Sequence, residues 1–367
     1  MDDASFHVPL GRHLLSGMVQ ATRPVWRGLG NLESKILREK IDRTPVDRPI
    51  YISGIARAGT TVLTEIIASH PDVVTHQYRD FPFLFIPYWW RQSLDKSPHN
   101  ETPTERAHGD RLMVTTRSPE AMEEVLWMTF FDHLHDPASC NALDARMTNL
   151  RFEAFYRDHL RKLLLISGRA RYAAKGNYNL TRCAYLLRIF PDARFVIVIR
   201  SPREHIASLM KQHQIFTRAA GKYPRSVAHL RRVGHFEFGA HRRCINPFSD
   251  GQAVESIETL WSTGQQVRGW ARYWAMLYGW LADTLDKPDS ASLRAATLVL
   301  RYEDLCDKPV DTLKTCLDHC RLGHADLLER WPPQLTRPTY YEAKYLPEEE
   351  QAIEEETRSV AARFGYR

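Results

Sequence analysis

Cysteine is scarce in this chain, with six cysteines in 367 residues and no spacing typical of a disulfide framework. We therefore expect reduced thiols, which are usual in the cytoplasm, and predict a cytoplasmic protein. Cys316, His319, Cys320 and His324 are close in sequence, but they lack the paired spacing of a structural zinc site. Residues 312–320 place apolar side chains at helical spacing, so we predict a helix there and no metal.

Long apolar runs are missing as well. No segment approaches the roughly 18 apolar residues of a transmembrane helix, and two prolines interrupt the densest stretch, Phe81–Trp90. The first residues, Met1-Asp2-Asp3, are acidic and are not followed by the apolar run of a signal peptide. We expect neither a transmembrane segment nor a secretory leader.

Acidic residues are slightly outnumbered, which leaves a formal net charge of +6 spread along the chain rather than collected in a tail. A charge so distributed suits an anionic ligand, but an ordinary solvated surface explains it equally well. Because basicity is the only feature of nucleic-acid-binding proteins that the chain shows, we expect no nucleic-acid partner. The 43% of hydrophobic residues suffices for a large core, and no pattern indicates the oligomeric state.

The N-terminal 48 residues are polar, basic and helical in pattern, and Pro45 and Pro49 break the chain at their end. We predict a helical N-terminal extension over residues 1–48 and an α/β domain over residues 49–367. Within that domain, residues 216–265 show little periodicity. A segment of this length without a pattern is usually functional or disordered, so we interpret it as an insertion that forms a lid or a ligand-binding loop.

Strand and helix patterns alternate along the domain. Pro49–Ser53 is a short apolar run, and the helical pattern Thr60–Ser69 follows it after a glycine-rich loop. Arg194–Ile199 is an almost fully apolar strand of the kind found inside parallel sheets, and a helix follows from Pro202 to about His213. A third apolar strand covers Thr297–Leu300. This alternation predicts a doubly wound parallel sheet flanked by helices.

The loop Gly54–Thr61 has the glycine spacing of a phosphate-binding P-loop. Its glycines let backbone N–H groups turn toward a phosphate, and the helix that follows adds the partial positive charge of its N-terminus. Thr60 stands where the lysine of an NTPase neutralises the outer phosphates of ATP or GTP. The sequence therefore argues against phosphoryl transfer from ATP, and Arg57 supplies the cation instead.

The segment Gly54–Leu63 resembles the 5′-phosphosulfate loop of sulfotransferases that use PAPS (3′-phosphoadenosine-5′-phosphosulfate), as does His70-Pro71 at the end of its helix. The form with arginine and Gly-Thr-Thr is the one seen in tyrosylprotein and many bacterial sulfotransferases. Arg194–Pro202, followed by Ser208, resembles the 3′-phosphate motif of that superfamily. In that motif a strand ends in arginine and a serine follows eight residues later.

Two further segments match the same superfamily. The segment that starts at Lys175 resembles its lysine element, and Arg301–Leu305 resembles its late Tyr-Glu-Asp-Leu element. Ser201 departs from the pattern, because the family often has aspartate there. The matches cover about residues 49–215 and 297–320, and they occur in the family's order.

The resemblance implies a P-loop-like α/β domain that moves the sulfuryl group of PAPS to a hydroxyl or amine acceptor and releases PAP, without a metal. It implies a small molecule or a glycan as the acceptor. It assigns donor binding to Arg57, Ala58, Gly59, Thr60, Thr61, Arg200 and Ser208. The loop amides would hold the 5′-phosphate, and Arg200 with Ser208 would hold the 3′-phosphate. Lys175 and Arg57 would stabilise charge during the transfer.

A general base must also take the acceptor's proton. Asp80 follows the first helix and resembles the acidic residue that glycan sulfotransferases carry there, so we predict Asp80 as this base. The same likeness favours a carbohydrate or another small hydroxyl compound as the acceptor. His76 is the second candidate for the base. Glu123 and Glu124 are a third, although a solvated helix face or a structural pair would explain them better.

Two other functions stay open at this point. A P-loop kinase or NTPase would need a lysine at position 60 and an acidic magnesium ligand after a neighbouring strand, whereas this strand ends in Arg200. A catalytically silent nucleotide-binding protein could keep the same fold. The retained set of Arg57, Lys175, Arg200 and Ser208 argues against the silent protein, and detectable transfer would decide.

Overall fold

The structure is a computed structural model that describes residues 6–96, 103–105, 113–324, 326–337 and 343–366. Its strands are β1 Ile50–Ser53, β2 Val73–Val74, β3 Thr104–Glu105, β4 Met113–Val114, β5 Arg171–Lys175, β6 Arg194–Ile199 and β7 Thr297–Arg301. Its α-helices are α1 Leu10–Ala21, α2 Arg23–Ile36, α3 Arg38–Asp42, α4 Thr60–Ala68, α5 Pro87–Leu94, α6 Glu124–Phe130, α7 Leu150–Ser167, α8 Cys183–Ile189, α9 Pro202–Lys222, α10 Pro224–Val233, α11 Gln252–Ser262, α12 Gln266–Asp286, α13 Ala291–Ala296, α14 Tyr302–Asp307, α15 Pro309–His319, α16 Leu327–Arg330 and α17 Pro347–Arg363.

Five strands form one parallel sheet in the order β2-β5-β1-β6-β7. In this sheet Tyr51 of β1 lies opposite Ala174 of β5 on one side and Phe195 of β6 on the other. Alternate residues of β1 enter two different hydrophobic cores, with Ile50 and Ile52 in one and Tyr51 in the other. Helices therefore cover both faces, and the predicted α/β fold with a parallel sheet flanked by helices is confirmed.

The chain crosses from one side of β1 to the other. From β1 it passes to β2 at the edge, returns to β5 beside β1, and then crosses to β6 on the opposite side. Such a reversal of direction leaves a crevice at the carboxyl ends of the strands, which is where open α/β sheets bind ligands. The fold thus brings the segments that follow β1, β5 and β6 to one edge of the sheet.

The N-terminal extension is helical, as predicted, and a buried ion pair ties it to the domain. Helix α2 packs against α5 and α7. Lys162 of α7 lies 2.9 Å from Glu33 of α2, measured from Nζ to Oε2, and also donates a hydrogen bond to the Gly30 carbonyl at 3.0 Å. Both charged side chains are buried. Burial raises the pKa of Glu33 and lowers the pKa of Lys162, although each partner opposes the shift of the other.

Residues 216–265, which show little periodicity in the sequence and are interpreted as an insertion, are largely helical in the structure. Helix α9 continues to Lys222 instead of ending near His213, and α10 and α11 follow it. The buried face of α9 runs through Ser208, Gln212 and Phe216. Two of these three positions are polar, so the helical spacing does not show as an apolar pattern. Tertiary packing, rather than a periodic apolar pattern, therefore determines the secondary structure of this part of the chain.

The cysteine-containing segment near the C-terminus is a helix, as predicted, with Cys316 buried on α15. All six cysteines are unpaired thiols. Among the residues that the structure describes, no group of three or more His, Cys, Asp or Glu side chains could hold a metal ion. Over the same residues, no helix combines the length and the apolar character needed to cross a membrane.

Removal of Glu33 alone should be costly, because Lys162 would stay in apolar surroundings without its partner. We expect Glu33→Ala to lower the free energy of unfolding by about 3–5 kcal/mol. The control is Glu39→Ala, which removes the exposed partner of Arg43 and should change that free energy by less than about 1 kcal/mol. Chemical denaturation measures both changes. Equal, small effects would show that the Glu33–Lys162 pair does not hold the extension in place.

Candidate active site

A cavity of about 900 Å³ lies at the carboxyl edge of the sheet. Its wall is formed by residues that directly follow four parallel strands: the loop after β1, Gly176 after β5, Arg200 after β6 and Tyr302 after β7. Lys175, the last residue of β5, also lines it. The topology of the sheet alone therefore delivers these segments to one place. Open parallel sheets bind their ligands at this edge, and the predicted donor-binding residues lie here as well.

The loop between β1 and α4 has a conformation that suits an anion. Gly59 has φ +107° and directly precedes α4, which begins at Thr60. A Cβ atom at Gly59 would lie 2.3 Å from the ring of Tyr302, so only glycine fits. Arg57 also has a positive φ, +72°, which costs a non-glycine residue about 1–2 kcal/mol. Such strain is typical of binding loops.

Three of the predicted donor-binding residues contact one another. Arg57 Nε donates to the hydroxyl of Ser208 at 3.3 Å, and Arg200 Nη1 donates to the Arg57 carbonyl at 3.4 Å. The guanidinium of Arg200 lies 5.0 Å from the ring centre of Tyr302, within the range of a cation–π contact. Arg57 and Arg200 line the cavity, whereas Ser208 is buried behind Arg57. The sequence motif after β6 and the loop after β1 thus form one cationic corner.

Lys175 reaches the start of α4 from the end of β5. Its Nζ donates to the hydroxyl of Thr61 at 3.2 Å and to Oε1 of Glu120 at 3.3 Å. All three residues line the cavity. A third cation therefore lies at the mouth of the loop, and a carboxylate holds it there.

A histidine–glutamate pair lines the cavity from the segment between α10 and α11. His235 Nδ1 lies 3.0 Å from Oε2 of Glu237, and Asn177 Nδ2 donates to the other carboxylate oxygen at 2.8 Å. Burial alone would lower the pKa of His235, but the carboxylate of Glu237 outweighs it and raises that pKa above its usual value. Glu120 raises this pKa further and Lys175 lowers it, and both residues line the same cavity as His235.

Glu123 faces the cavity from the turn before α6. Its carboxylate accepts hydrogen bonds from Trp127 Nε1 at 3.2 Å and Tyr172 Oη at 3.1 Å, and from the hydroxyl of Tyr156. Burial raises the pKa of Glu123 to about 7, although these three hydrogen bonds oppose the rise. Glu123 therefore changes its charge in the neutral range.

Glu124, the next residue, has the opposite behaviour. Arg182 donates to both of its oxygens, at 2.8 and 3.0 Å, and His135 Nε2 lies 2.8 Å from Oε1. Burial alone would raise the pKa of Glu124, but Arg182 and His135 outweigh it and lower the pKa to about 2. All three side chains are buried. Glu124 therefore stays ionised near neutral pH, and through Arg182 it connects α6 to the start of α8.

Asp80 lies elsewhere. Its Oδ1 accepts a hydrogen bond from Arg91 Nε at 2.9 Å. Its Oδ2 accepts from Arg91 Nη2 at 2.6 Å and from the backbone N–H of Gln77 at 2.8 Å. The side chain is buried and is not part of the cavity wall. Both oxygens are committed to structural hydrogen bonds, because Asp80 caps a short 3-10 helix and pairs with α5. This geometry favours a structural role for Asp80 over the predicted role as general base.

His76 is also remote from the cavity wall. It lies between Tyr172, whose hydroxyl is 3.0 Å from Nδ1, and His159, whose Nε2 is 2.8 Å from Nε2 of His76. Burial lowers the pKa of His76 to about 4, so the ring is neutral near pH 7. Of the four residues considered as the base, only Glu123 and Glu124 line the cavity.

Among the cavity residues that were missed in the sequence are Glu120, His235 and Glu237. Glu120 stands only three residues before Glu123, and its acidic neighbours could have drawn attention to it. His235 and Glu237 belong to the segment interpreted as an insertion, where no local pattern marks them. Only the packing of that segment against the residues after β5 reveals their position.

A family model described as the sulfotransferase family matches residues 49–247 of this chain. The match contains the phosphate loop, Lys175, Arg200 and Ser208. It also contains residues 216–247, which are most of the segment interpreted as an insertion, including His235. No curated protein sequence matches the chain.

Twelve chains of solved structures match this one. Sulfotransferase STF1 from Mycobacterium tuberculosis H37Rv is 16% identical with a TM-score of 0.49, and the match covers 100% of this chain and 93% of that chain. Sulfotransferase STF9 from Mycobacterium avium is 12% identical with a TM-score of 0.47, covering 91% and 82% of the two chains. A sulfotransferase from Alicyclobacillus acidocaldarius is 15% identical with a TM-score of 0.40, covering 87% and 94%.

The two adjacent carboxyl groups should respond to pH in opposite directions. Because the native pKa of Glu123 is raised, wild-type stability falls as pH rises from about 4.5 to 7. Glu123→Gln removes this loss, so its free energy of unfolding relative to wild type should improve by about 2–3 kcal/mol between pH 5 and pH 8.

The matched control is Glu124→Gln. The native pKa of Glu124 is lowered, so its contribution is present above about pH 4.5 and is lost as pH falls toward 2. This variant should therefore be most destabilised at neutral pH. Denaturation at a series of pH values measures both variants, and parallel profiles for the two would contradict the assignment of opposite pKa shifts.

Proposed function

The chain belongs to the sulfotransferase family, and from this premise we propose that it transfers the sulfuryl group of PAPS to a hydroxyl or amine acceptor and releases PAP. One observation supports the choice of donor above all others. Arg57, Lys175 and Arg200 converge around the N-terminus of α4, at the carboxyl ends of three adjacent parallel strands. A donor with two separate anionic groups suits such an arrangement.

The residues present fit this donor. The backbone amides of residues 57–61 and the N-terminus of α4 provide donors for the 5′-phosphosulfate, and Gly59 keeps the loop free of a side chain where Tyr302 approaches. Arg200 and Ser208, which both contact Arg57, provide a charged and a directional donor for the 3′-phosphate. The predicted donor-binding assignment is therefore retained as part of this proposal.

In the proposed reaction the bond between sulfur and the bridging phosphate oxygen breaks, and a bond between sulfur and the acceptor oxygen or nitrogen forms. The electron pair of the broken bond stays on the 5′-phosphate of PAP. Lys175 and Arg57 offset the charge that develops there and on the sulfuryl oxygens. The contact of Lys175 with Thr61 holds its ammonium group beside the loop.

We assign the general base to His235 rather than to Asp80. Its Nδ1 lies 3.0 Å from Oε2 of Glu237, and we therefore assign the acceptance of the proton to the other ring nitrogen, Nε2. Glu237, fixed by Asn177, stabilises the imidazolium that forms. Both His235 and Lys175 line the same cavity, which supports this assignment.

One side of the cavity carries apolar side chains among polar ones. Its apolar lining comes from the N-terminal segment and from residues 216–238: Phe6, Val8, Phe216, Leu230, Val233 and Phe238. The preference for a carbohydrate depended on Asp80, which is engaged with Arg91 instead. We therefore propose an organic acceptor with an apolar portion beside its hydroxyl or amine group.

The experiment that tests the donor compares PAP with AMP by calorimetry. PAP should bind more tightly, because its 3′-phosphate contacts Arg200 and Ser208. Arg200→Ala should reduce that preference by about 10- to 100-fold, as expected for loss of a charge-assisted hydrogen bond. Arg203→Ala is the matched control. This exposed arginine lies three residues after Arg200, in the first turn of α9, and pairs with Glu350. Equal affinity of the wild type for PAP and AMP would contradict the assignment of the donor.

The pH dependence of turnover tests the base. Activity needs neutral His235, so the acidic limb should have its midpoint at the raised pKa of that imidazole. Glu237→Gln removes the largest effect that raises the pKa of His235 and should move the limb to lower pH. His235→Asn should lower turnover by about 10²–10⁴-fold while PAP affinity is retained. If Glu237→Gln leaves the limb unchanged and Glu120→Gln abolishes it, Glu120 is the base.

A further inference from the structure

The outer face of α1 carries a stripe of exposed apolar side chains. Leu10, Leu14 and Met18 follow at intervals of four residues and lie opposite the buried residues Ser16 and Val19. Leu14, for example, is 61% exposed. A helix that faces only water normally presents polar side chains on that side, so this stripe needs an explanation.

Helix α2 repeats the feature. Val25, Leu32 and Ile36 share one face of α2, and Val25 and Ile36 are 60% and 63% exposed. Seven of the thirteen exposed large apolar side chains among the described residues lie within α1 and α2. This concentration distinguishes the pair of helices from the rest of the described surface. We call the outer face of α1 and α2, defined by these two stripes and Leu15, the N-terminal apolar face.

The N-terminal apolar face adjoins the cavity. Phe6, Val8 and Arg12, which lie just before α1 or in its first turn, line the cavity wall. Helix α1 packs on α10, where Arg232 Nη1 donates to the His13 carbonyl at 2.9 Å. The inner side of this N-terminal segment therefore belongs to the candidate active site, while its outer side is apolar.

The neighbouring segment is strongly basic. Residues 205–236 contain six lysine or arginine residues and no aspartate or glutamate. Arg218, Arg225 and Arg231 in this segment are exposed. An apolar helix face next to exposed basic residues is the combination by which interfacial helices bind anionic lipids. The charge of this region favours an anionic surface over a neutral protein partner.

We propose that the N-terminal apolar face docks on an anionic membrane surface. The apolar stripes would enter the boundary between head groups and acyl chains, and the basic residues of α9 and α10 would contact the head groups. Docking in this orientation places the adjoining cavity wall close to the lipid head groups. The proposal concerns a surface contact only and does not depend on the reaction proposed above.

Vesicle sedimentation with the full chain tests the docking. Vesicles of phosphatidylcholine with phosphatidylglycerol should bind the wild type at least about ten-fold more tightly than vesicles of phosphatidylcholine alone, with loss of binding at high salt. The triple variant Leu10→Gln, Leu14→Gln, Met18→Gln should bind the anionic vesicles about ten-fold more weakly or worse. Glutamine keeps the helix propensity of α1.

Two further variants separate the apolar contribution of α1 to vesicle binding from the contribution of the basic residues. The matched control Met147→Gln, Leu150→Gln, Val310→Gln removes three exposed apolar side chains elsewhere and should bind vesicles like the wild type. Arg225→Gln with Arg231→Gln leaves α1 intact and should weaken binding to anionic vesicles by roughly five-fold per charge, with little change on neutral ones. This second variant keeps the test valid if the α1 variant fails to fold.

Absence of wild-type binding to anionic vesicles, or equal loss in the Met147, Leu150 and Val310 control, would overturn the proposal. Light scattering tests whether a second copy of the chain binds to the N-terminal apolar face instead. A dimer that the α1 variant dissociates would likewise overturn it. PAP affinity, measured on the same proteins, should stay unchanged, so failure of membrane docking and failure of the proposed function remain distinguishable.

Discussion

The parallel order of the sheet is the constraint on which the rest of the structure depends. Because every strand runs in the same direction, the residues that follow β1, β5 and β6 must meet at one edge. Three cations, Arg57, Lys175 and Arg200, come together there and would repel one another at close range. Glu120 offsets the charge of Lys175, and the ring of Tyr302 faces Arg200. The strained backbone at Arg57 belongs to the same arrangement.

Buried and partly buried ionic groups connect the segments that line this site. Glu124 links α6 to α8 through Arg182 and also contacts His135. Glu237 joins the segment after α10 to the residues after β5 through Asn177. The candidate base therefore lies on a loop that the partly buried carboxylate of Glu237 restrains. Loops in such a position can carry catalytic groups because the surrounding scaffold restrains them.

The parts of the fold that depend on local pattern were predictable. The apolar runs of β1 and β6 predicted the parallel sheet, and the resemblance singled out Lys175 and Arg200, which the structure brings to the cavity wall. The role of Asp80 was not predictable, because a carboxylate that pairs with Arg91 in the interior has the same sequence environment as a catalytic one. His235 escaped attention for the opposite reason, since only tertiary packing brings it to the cavity.

The central claim is sulfuryl transfer from PAPS, and product analysis tests it most directly. The protein is incubated with PAPS that carries a labelled sulfate and with a panel of hydroxyl and amine compounds, and products are identified by mass spectrometry. The account predicts a labelled, sulfated product and an equal amount of PAP, with both lost in Lys175→Ala, which removes the cation next to Thr61. Release of phosphate from ATP, with no sulfated product from any acceptor, would contradict it.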